Sequence, residues 1–220
     1  MPIKLPVKRL GQYHKDGLAY DSVTTILGII SKPALYTYYI KQTAQAIVEN
    51  PDCISNEKEV VSAVFSRVKA TATRGKLVHS LFEVLKAGNP IPDTIPTRYR
   101  GYAEGLKSWW DTVKPDVLSI EKEVYSKKYG YAGSCDLICR INGIVYLVDL
   151  KTSKAVYPEY PLQVEAYKQA LKEMGVEIEK TAILLVKDDG SYIFSEVHGD
   201  FKAFLHAQAL WQWQNNKGGN

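Results

Sequence analysis

The chain has 220 residues, 45% of them hydrophobic and 24% charged, the proportions of an ordinary globular protein long enough to bury one sizeable core. That balance excludes long disorder, fibrous repeats and a disulfide scaffold. The formal net charge of +4 is too mild to imply a polyanionic partner by itself.

Met1 to Leu10 is basic and contains proline but no apolar signal core, and no later run reaches the roughly 18 apolar residues of a membrane span. An intracellular chain without membrane association is therefore expected. Ser22 caps a short helix through Ile30, and Ser31, with Pro33 two residues on, opens a longer one to about Asn50. Asn56, with Glu59 three residues later, resembles a capping box for a helix to about Lys69. The stretch Thr73 to Lys86, with apolar residues at 77, 78, 81, 82 and 85, reads as a further helix ending before Gly88. Pro90 to Pro96 is a loop, and a helix carrying Trp109 and Trp110 stops near Pro115.

From Asp116 the pattern turns to strands: Leu118 to Tyr125, Ser134 to Ile141, Ile144 to Lys151, Ala182 to Lys187 and Tyr192 to Val197. Asn142-Gly143 and Asp189-Gly190 are hairpin signals. Leu162 to Met174 reads as a helix ending at Gly175, and a last helix covers Phe201 to Trp213. No linker or repeat interrupts this order. It predicts an α/β fold of the mixed-sheet α+β kind: one domain over 1–220, mainly helical to 115 and a sheet core from 116. The three cysteines include Cys135 and Cys139, four apart in one strand and too distant to bridge, as expected in a reducing compartment.

Charge is unevenly spread. Between Ser66 and Lys107, Arg67, Lys69, Arg74, Lys76, Lys86, Arg98, Arg100 and Lys107 face only Glu83, Asp93 and Glu104, a net +5. The stretch is either a solvated helix face or a track for nucleic-acid phosphates. Tyr36, Tyr38, Tyr39, Tyr99 and Tyr102 accompany it, and rings beside cations suit single strands, although any one of them can equally be core. Trp109, Trp110, Trp211 and Trp213 read as packing anchors, one of each close pair facing inward.

The Asn142-Gly143 turn fixes a register. Pairing Ile141 with Ile144 sets Asp136 opposite Asp149, Cβ atoms about 5 Å apart, and like charges there destabilise a sheet unless something offsets them. A divalent cation does so, and an all-oxygen set points to Mg²⁺, with Mn²⁺ as a substitute. Lys151, two residues after Asp149, projects to the same face, where an ammonium can orient an attacking water or steady charge on a phosphate. An exposed Asp149–Lys151 pair at a strand end is the alternative, and a bulge near Gly130 or Gly133 would break the register. Gln163 and Tyr167 are four apart and share a helix face, as do His79 and Glu83.

These residues resemble the PD-(D/E)XK nucleases, in their RecB-like branch. The resemblance rests on Gly75-Lys76-Leu77-Val78-His79, Gly133-Ser134-Cys135-Asp136, Asp149-Leu150-Lys151-Thr152 and Gln163-Val164-Glu165-Ala166-Tyr167, in the family's order. Glu121 through Tyr167 is most similar to the mitochondrial genome maintenance exonucleases and their phage-encoded relatives, and Asp21 to Leu27 is similar to phage exonuclease openings. The resemblance implies an αβββαβ restriction-endonuclease-like core behind an N-terminal helical region. It implies that Asp136, Asp149, the Leu150 carbonyl and His79 hold the metal while Lys151 serves the water. Gln163 and Tyr167 would support the site or touch the substrate backbone, with Glu123 matching a glutamate ahead of the glycine–aspartate motif. Arg74, Lys76 and Thr152 are further candidates for substrate contact or support.

The implied reaction is phosphodiester hydrolysis. Cys53, Cys135 and Cys139 cannot supply a four-cysteine iron–sulfur cluster, and Gly75-Lys76 lacks the rest of a phosphate loop, so neither cluster nor nucleotide cofactor is expected. The expectation is a Mg²⁺-dependent exonuclease acting on free ends of DNA, single-stranded or with single-stranded ends, in replication, recombination or repair. A helicase, single-strand-binding or annealing protein would be a separate chain, and the compartment the cytoplasm, or the host's if the source is viral. A duplex-resecting exonuclease working with an annealing protein, and a silent nucleic-acid-binding scaffold, are the competing expectations.

Overall fold

The computed structural model describes residues 11–215, so the reading of Met1 to Leu10 lies outside the described residues. The described residues divide into two compact units, one of residues 31–78 and one of 11–30 with 79–215.

The larger unit is a mixed α/β structure, as the sequence pattern predicts, around a sheet of seven strands where that pattern places five. It opens with a hairpin of β1 (Gln12–Lys15) and β2 (Leu18–Ser22), where sequence reading leaves only the approach to a helix. Asp16-Gly17 turns this hairpin with both residues at positive φ, so the missed signal is the same dipeptide that marks the later one. Ser22 caps α1 (Val23–Ile26), its hydroxyl accepting from the Thr25 N–H at 3.0 Å, and a 3₁₀ turn continues to Ile29.

Strands β3 (Asp116–Ser126), β4 (Tyr131–Ile141) and β5 (Ile144–Lys151) follow α4 (Thr97–Val113). Then come α5 (Glu159–Glu173), β6 (Lys180–Val186), β7 (Tyr192–Glu196) and α6 (Phe201–Asn215). The sheet order is β1-β2-β4-β5-β6-β7, with β3 on the other edge of β4. Asn142 and Gly143 take φ of 50° and 85°, as a two-residue turn of matching twist requires. The ladder keeps the predicted register from Ile141↔Ile144 to Leu137↔Val148. Beyond it β5 stays paired with β6 alone, which flanks its other edge from Tyr146 to Lys151, and β2 pairs with the same edge of β4 only at Tyr131 and Ala132. Gly133 to Asp136 therefore lie between the two partners on that edge.

Helices α1, α5 and α6 cover the sheet, burying Ile26, Leu27, Val164, Leu171 and Phe204 with Ile138, Leu147 and Ile183. Trp109 is fully buried against Phe194, ring centroids 5.7 Å apart, while Trp110 is half-buried. Trp211 packs on the core and Trp213 is 68% exposed. Each close pair thus has one inward member. All three cysteines are buried free thiols.

The smaller unit holds α2 (Pro33–Glu49), a 3₁₀ segment (Pro51–Ser55) and the start of α3 (Glu57–Lys86). Tyr38 meets the Thr71 hydroxyl at 3.0 Å, and Arg67 pairs with Glu49. Asn56 Oδ1 caps the helix by accepting from the Lys58 N–H at 3.1 Å, while its Nδ2 donates to Glu59 Oε1 at 2.8 Å, a side-chain pair in place of the reciprocal backbone bonds of a capping box. The two helices expected over 56–69 and 73–86 are one helix of 30 residues. Ala70-Thr71-Ala72 carries no breaker, and Gly75, whose added Cβ would meet open space, costs only about 1 kcal/mol in a helix interior. Tyr36 and Tyr39 are exposed, whereas Tyr99, in the larger unit, is core. No described helix is long and apolar enough to cross a membrane.

Candidate metal site

The site lies where β5 parts from β4. The Leu150 N–H, left without a strand partner on that side, donates to Asp136 Oδ2 at 2.7 Å. The Leu150 carbonyl accepts from His79 Nε2 at 3.0 Å, and His79 Nδ1 stands 3.3 Å from Asp136 Oδ1 and 3.7 Å from Glu121 Oε1. Asp136 and Asp149 are both buried. Asp149 Oδ1 accepts from Gln163 Nε2 at 2.9 Å, and its Oδ2 faces Lys151 Nζ at 2.7 Å. Gln163 also reaches the Tyr167 hydroxyl at 3.2 Å and accepts from Lys151 Nζ at 3.2 Å. Lys151 in turn lies 4.8 Å from the Tyr160 ring centre.

His79, Asp136, Leu150, Asp149, Lys151, Gln163 and Tyr167 thus come together from α3, two strands and α5. Glu121 joins them, and sequence reasoning missed it in favour of Glu123. Ladder pairs Ile120↔Leu137 and Lys122↔Cys135 bracket Glu121 and Asp136, but the connection from Lys127 to Gly130 is not a two-residue turn and fixes no register in advance. Glu121 adopts φ 48°, a conformation that costs an ordinary residue on the order of 1 kcal/mol, and Ser134 Oγ donates to its Oε2 at 3.3 Å. Glu123 instead accepts from the Tyr125 hydroxyl at 2.7 Å. Arg74 and Lys76 lie on the part of α3 that belongs to the smaller unit, Lys76 exposed, and Thr152 is half-buried just past β5.

Gly133 is required by Tyr167: a Cβ there would fall 2.3 Å from Tyr167 Cε1. The glycine–aspartate motif thereby combines a seat for the α5 tyrosine, a hydroxyl for Glu121 and a carboxylate for the strand fork.

Charges in the fork are strongly coupled. Burial works against a charged His79, yet the hydrogen bonds to Asp136 and Glu121 and the charges of Asp136 and Asp149 raise it to about 10. Burial raises Asp149 to about 6, against the opposing pull of Lys151. Burial also works against a charged Lys151, but Asp149 and Asp136 outweigh it and hold the ammonium above its ordinary value. Lys151 is a donor here, not a base.

The donor set fits a divalent ion. His79, Glu121 and Asp136 each offer one ligand atom, and these atoms all lie within 4.8 Å of one another. The buried Asp149 Oδ2, although in ionic contact with Lys151, has no hydrogen bond of acceptable geometry. A ligating histidine commonly donates its other ring N–H to a carbonyl, the relation His79 Nε2 has with Leu150. The cluster is a mixed nitrogen–oxygen set, not the all-oxygen pair of Asp136 and Asp149 that register alone suggests.

No family model and no curated protein matches the chain. Among solved structures, "Crystal structure of SSO0001" is similar at 14% identity and TM-score 0.39, covering 79% of this chain and 70% of that one. An alkaline exonuclease (LHK-Exo) from Laribacter hongkongensis is similar at 12% identity and TM-score 0.36, covering 66% of this chain and 84% of its own. Overlap at that level leaves the function to the chemistry of the fork.

Proposed function

We propose that the chain is a metal-dependent phosphodiesterase acting on DNA, an exonuclease that takes free ends with single-stranded character. The observation carrying this reading is the convergence of His79, Glu121 and Asp136 within 4.8 Å beside the Asp149–Lys151–Gln163 relay. When bound, a divalent ion would supply Lewis-acid polarisation of a phosphate oxygen and would lower the pKa of a coordinated water.

His79, Glu121 and Asp136 would hold that ion, with Asp149 alongside. Carboxylates suit Mg²⁺ and Mn²⁺, and the imidazole shifts preference toward Mn²⁺. Asp136 also ties its carboxylate to the Leu150 amide, and Leu150 orients the His79 ring, so the site is set by backbone rather than by free rotamers. Gln163 Oε1 and Asp149 aim the Lys151 ammonium, which donates to the attacking water or to a phosphate oxygen as negative charge builds there. A water proton is lost to solvent or to a carboxylate, because Lys151 is already protonated. Working partners on this reading are DNA and, as separate chains, a helicase, single-strand-binding or annealing protein.

The test is a time course on 5′-labelled and 3′-labelled linear strands and a circular single strand, with Mg²⁺, Mn²⁺ or EDTA. Cleavage of linear strands only, lost in EDTA and in Asp149→Asn and Lys151→Ala, is expected. Full activity in either variant overturns the mechanism, and persistent preference for blunt duplex replaces the single-strand reading.

A further inference from the structure

A groove of about 590 Å³ lies away from the metal cluster but shares α3 and β3 with it, lined by Lys86 of α3, Trp110, Asp111 and Lys114 from the end of α4, and Asp116 of β3 among others. Lys86 stands seven residues after His79 on α3, about 10 Å along the axis. Asp116 stands five residues before Glu121 on β3, about 17 Å away along the strand. At about 3.4 Å per stacked nucleotide, the groove sits roughly three to five nucleotides from the fork.

Its chemistry suits that span. The acids on its wall are already paired, Asp111 with Lys107 and Asp116 with Arg140. Lys86 and Lys114 are exposed and have no ion-pair partner among the described residues, so the groove presents uncompensated positive charge. Trp110 is half-buried, held by Phe82 and Trp109 at centroid distances of 6.2 and 6.3 Å, and offers the rest of its indole to the groove. Lys114 ends α4 at φ 50°, its N–H on the Trp110 carbonyl at 2.8 Å. Glycine or asparagine is the economical residue there, and the lysine at this positive φ lines the same groove as the tryptophan.

We propose that this groove binds a nucleotide of the substrate strand, its base against Trp110 and its phosphate on Lys86 and Lys114. The inference rests on the nuclease reading of the fork only for the identity of the strand. The groove would register the strand several nucleotides from the scissile bond, without reading sequence.

The test measures anisotropy of fluorescein-labelled oligothymidylates of 2 to about 12 nucleotides in EDTA, with cleavage in Mn²⁺ in parallel. Trp110→Leu should weaken binding of the longer strands roughly 5- to 100-fold and leave those under about three nucleotides unaffected. Lys114→Gly is the control for folding: it relieves the positive φ, so its thermal midpoint should hold or rise, yet its log–log salt slope should fall by about 0.7. Folded variants with unchanged affinity and slope at every length overturn the groove while leaving the nuclease reading intact. Wild-type protein that binds through the groove but never cleaves sustains the groove and removes the nuclease. Wild-type protein that binds no strand removes both.

Discussion

Asp136 and Leu150 are locked to each other across the strand fork: one carboxylate oxygen takes the Leu150 N–H at 2.7 Å while the Leu150 carbonyl turns to His79 at 3.0 Å. A single side chain thus pins the backbone that orients the histidine and keeps its other oxygen toward that ring.

Asp136 and Glu121 should therefore separate stability from metal binding. Asp136→Ala removes a buried charge-assisted bond and should cost about 1.5–3 kcal/mol in urea unfolding along with metal uptake. Glu121→Gly also removes a carboxylate from the cluster but relieves φ 48°, so metal binding should weaken while stability holds or rises by up to about 1 kcal/mol. Equal destabilisation by both variants would contradict the division.

Gly133→Ala drives a methyl into the Tyr167 ring at 2.3 Å. Overpacking of this kind costs about 1–3 kcal/mol, and because Tyr167 bonds Gln163 the displacement should lower kcat more than it raises KM. Calorimetry and steady-state kinetics on the one variant read both effects.

Gln163 joins Asp149, Lys151 and Tyr167. Gln163→Ala should lower kcat by about 10- to 100-fold, the range for losing an outer partner of a metal site. Tyr167→Phe, which removes one hydroxyl and keeps the ring over Gly133, should lose much less. A reversed order would place the working contact on the tyrosine.

Without metal, stability should depend on pH through His79. Its value rises from 6.5 free to about 10 in the fold, so its contribution is complete below about 6.5 and lost as pH climbs toward 10. A ligating histidine is neutral, so metal affinity should climb over the same window. Urea midpoints in EDTA should fall across it in the wild type and fall less in His79→Gln. Parallel curves would show that His79 is not charged in the metal-free fold.

Much of this was legible in the sequence because local chemistry fixed it. The Asn142-Gly143 turn set a register that the ladder keeps through Leu137↔Val148, and the period of two carried Lys151 to Asp149. The four-residue spacing likewise carried Gln163 to Tyr167. What failed to show was long-range. The ladder's end, where Asp136 bonds the Leu150 amide instead of continuing the pairing, is not marked by any turn or breaker in the sequence. Glu121 enters through a left-handed backbone residue that alternation does not foresee. The N-terminal hairpin was hidden by shortness, although its Asp16-Gly17 turn was in plain view.

Calorimetric titration of the metal-free protein with Mn²⁺ shows whether His79, Glu121 and Asp136 hold an ion together. Saturable uptake by the wild type is expected, weakened at least tenfold by His79→Gln, Glu121→Gln or Asp136→Asn, in line with losing a ligand. No uptake by folded wild-type protein, or uptake unchanged in all three variants, would contradict it.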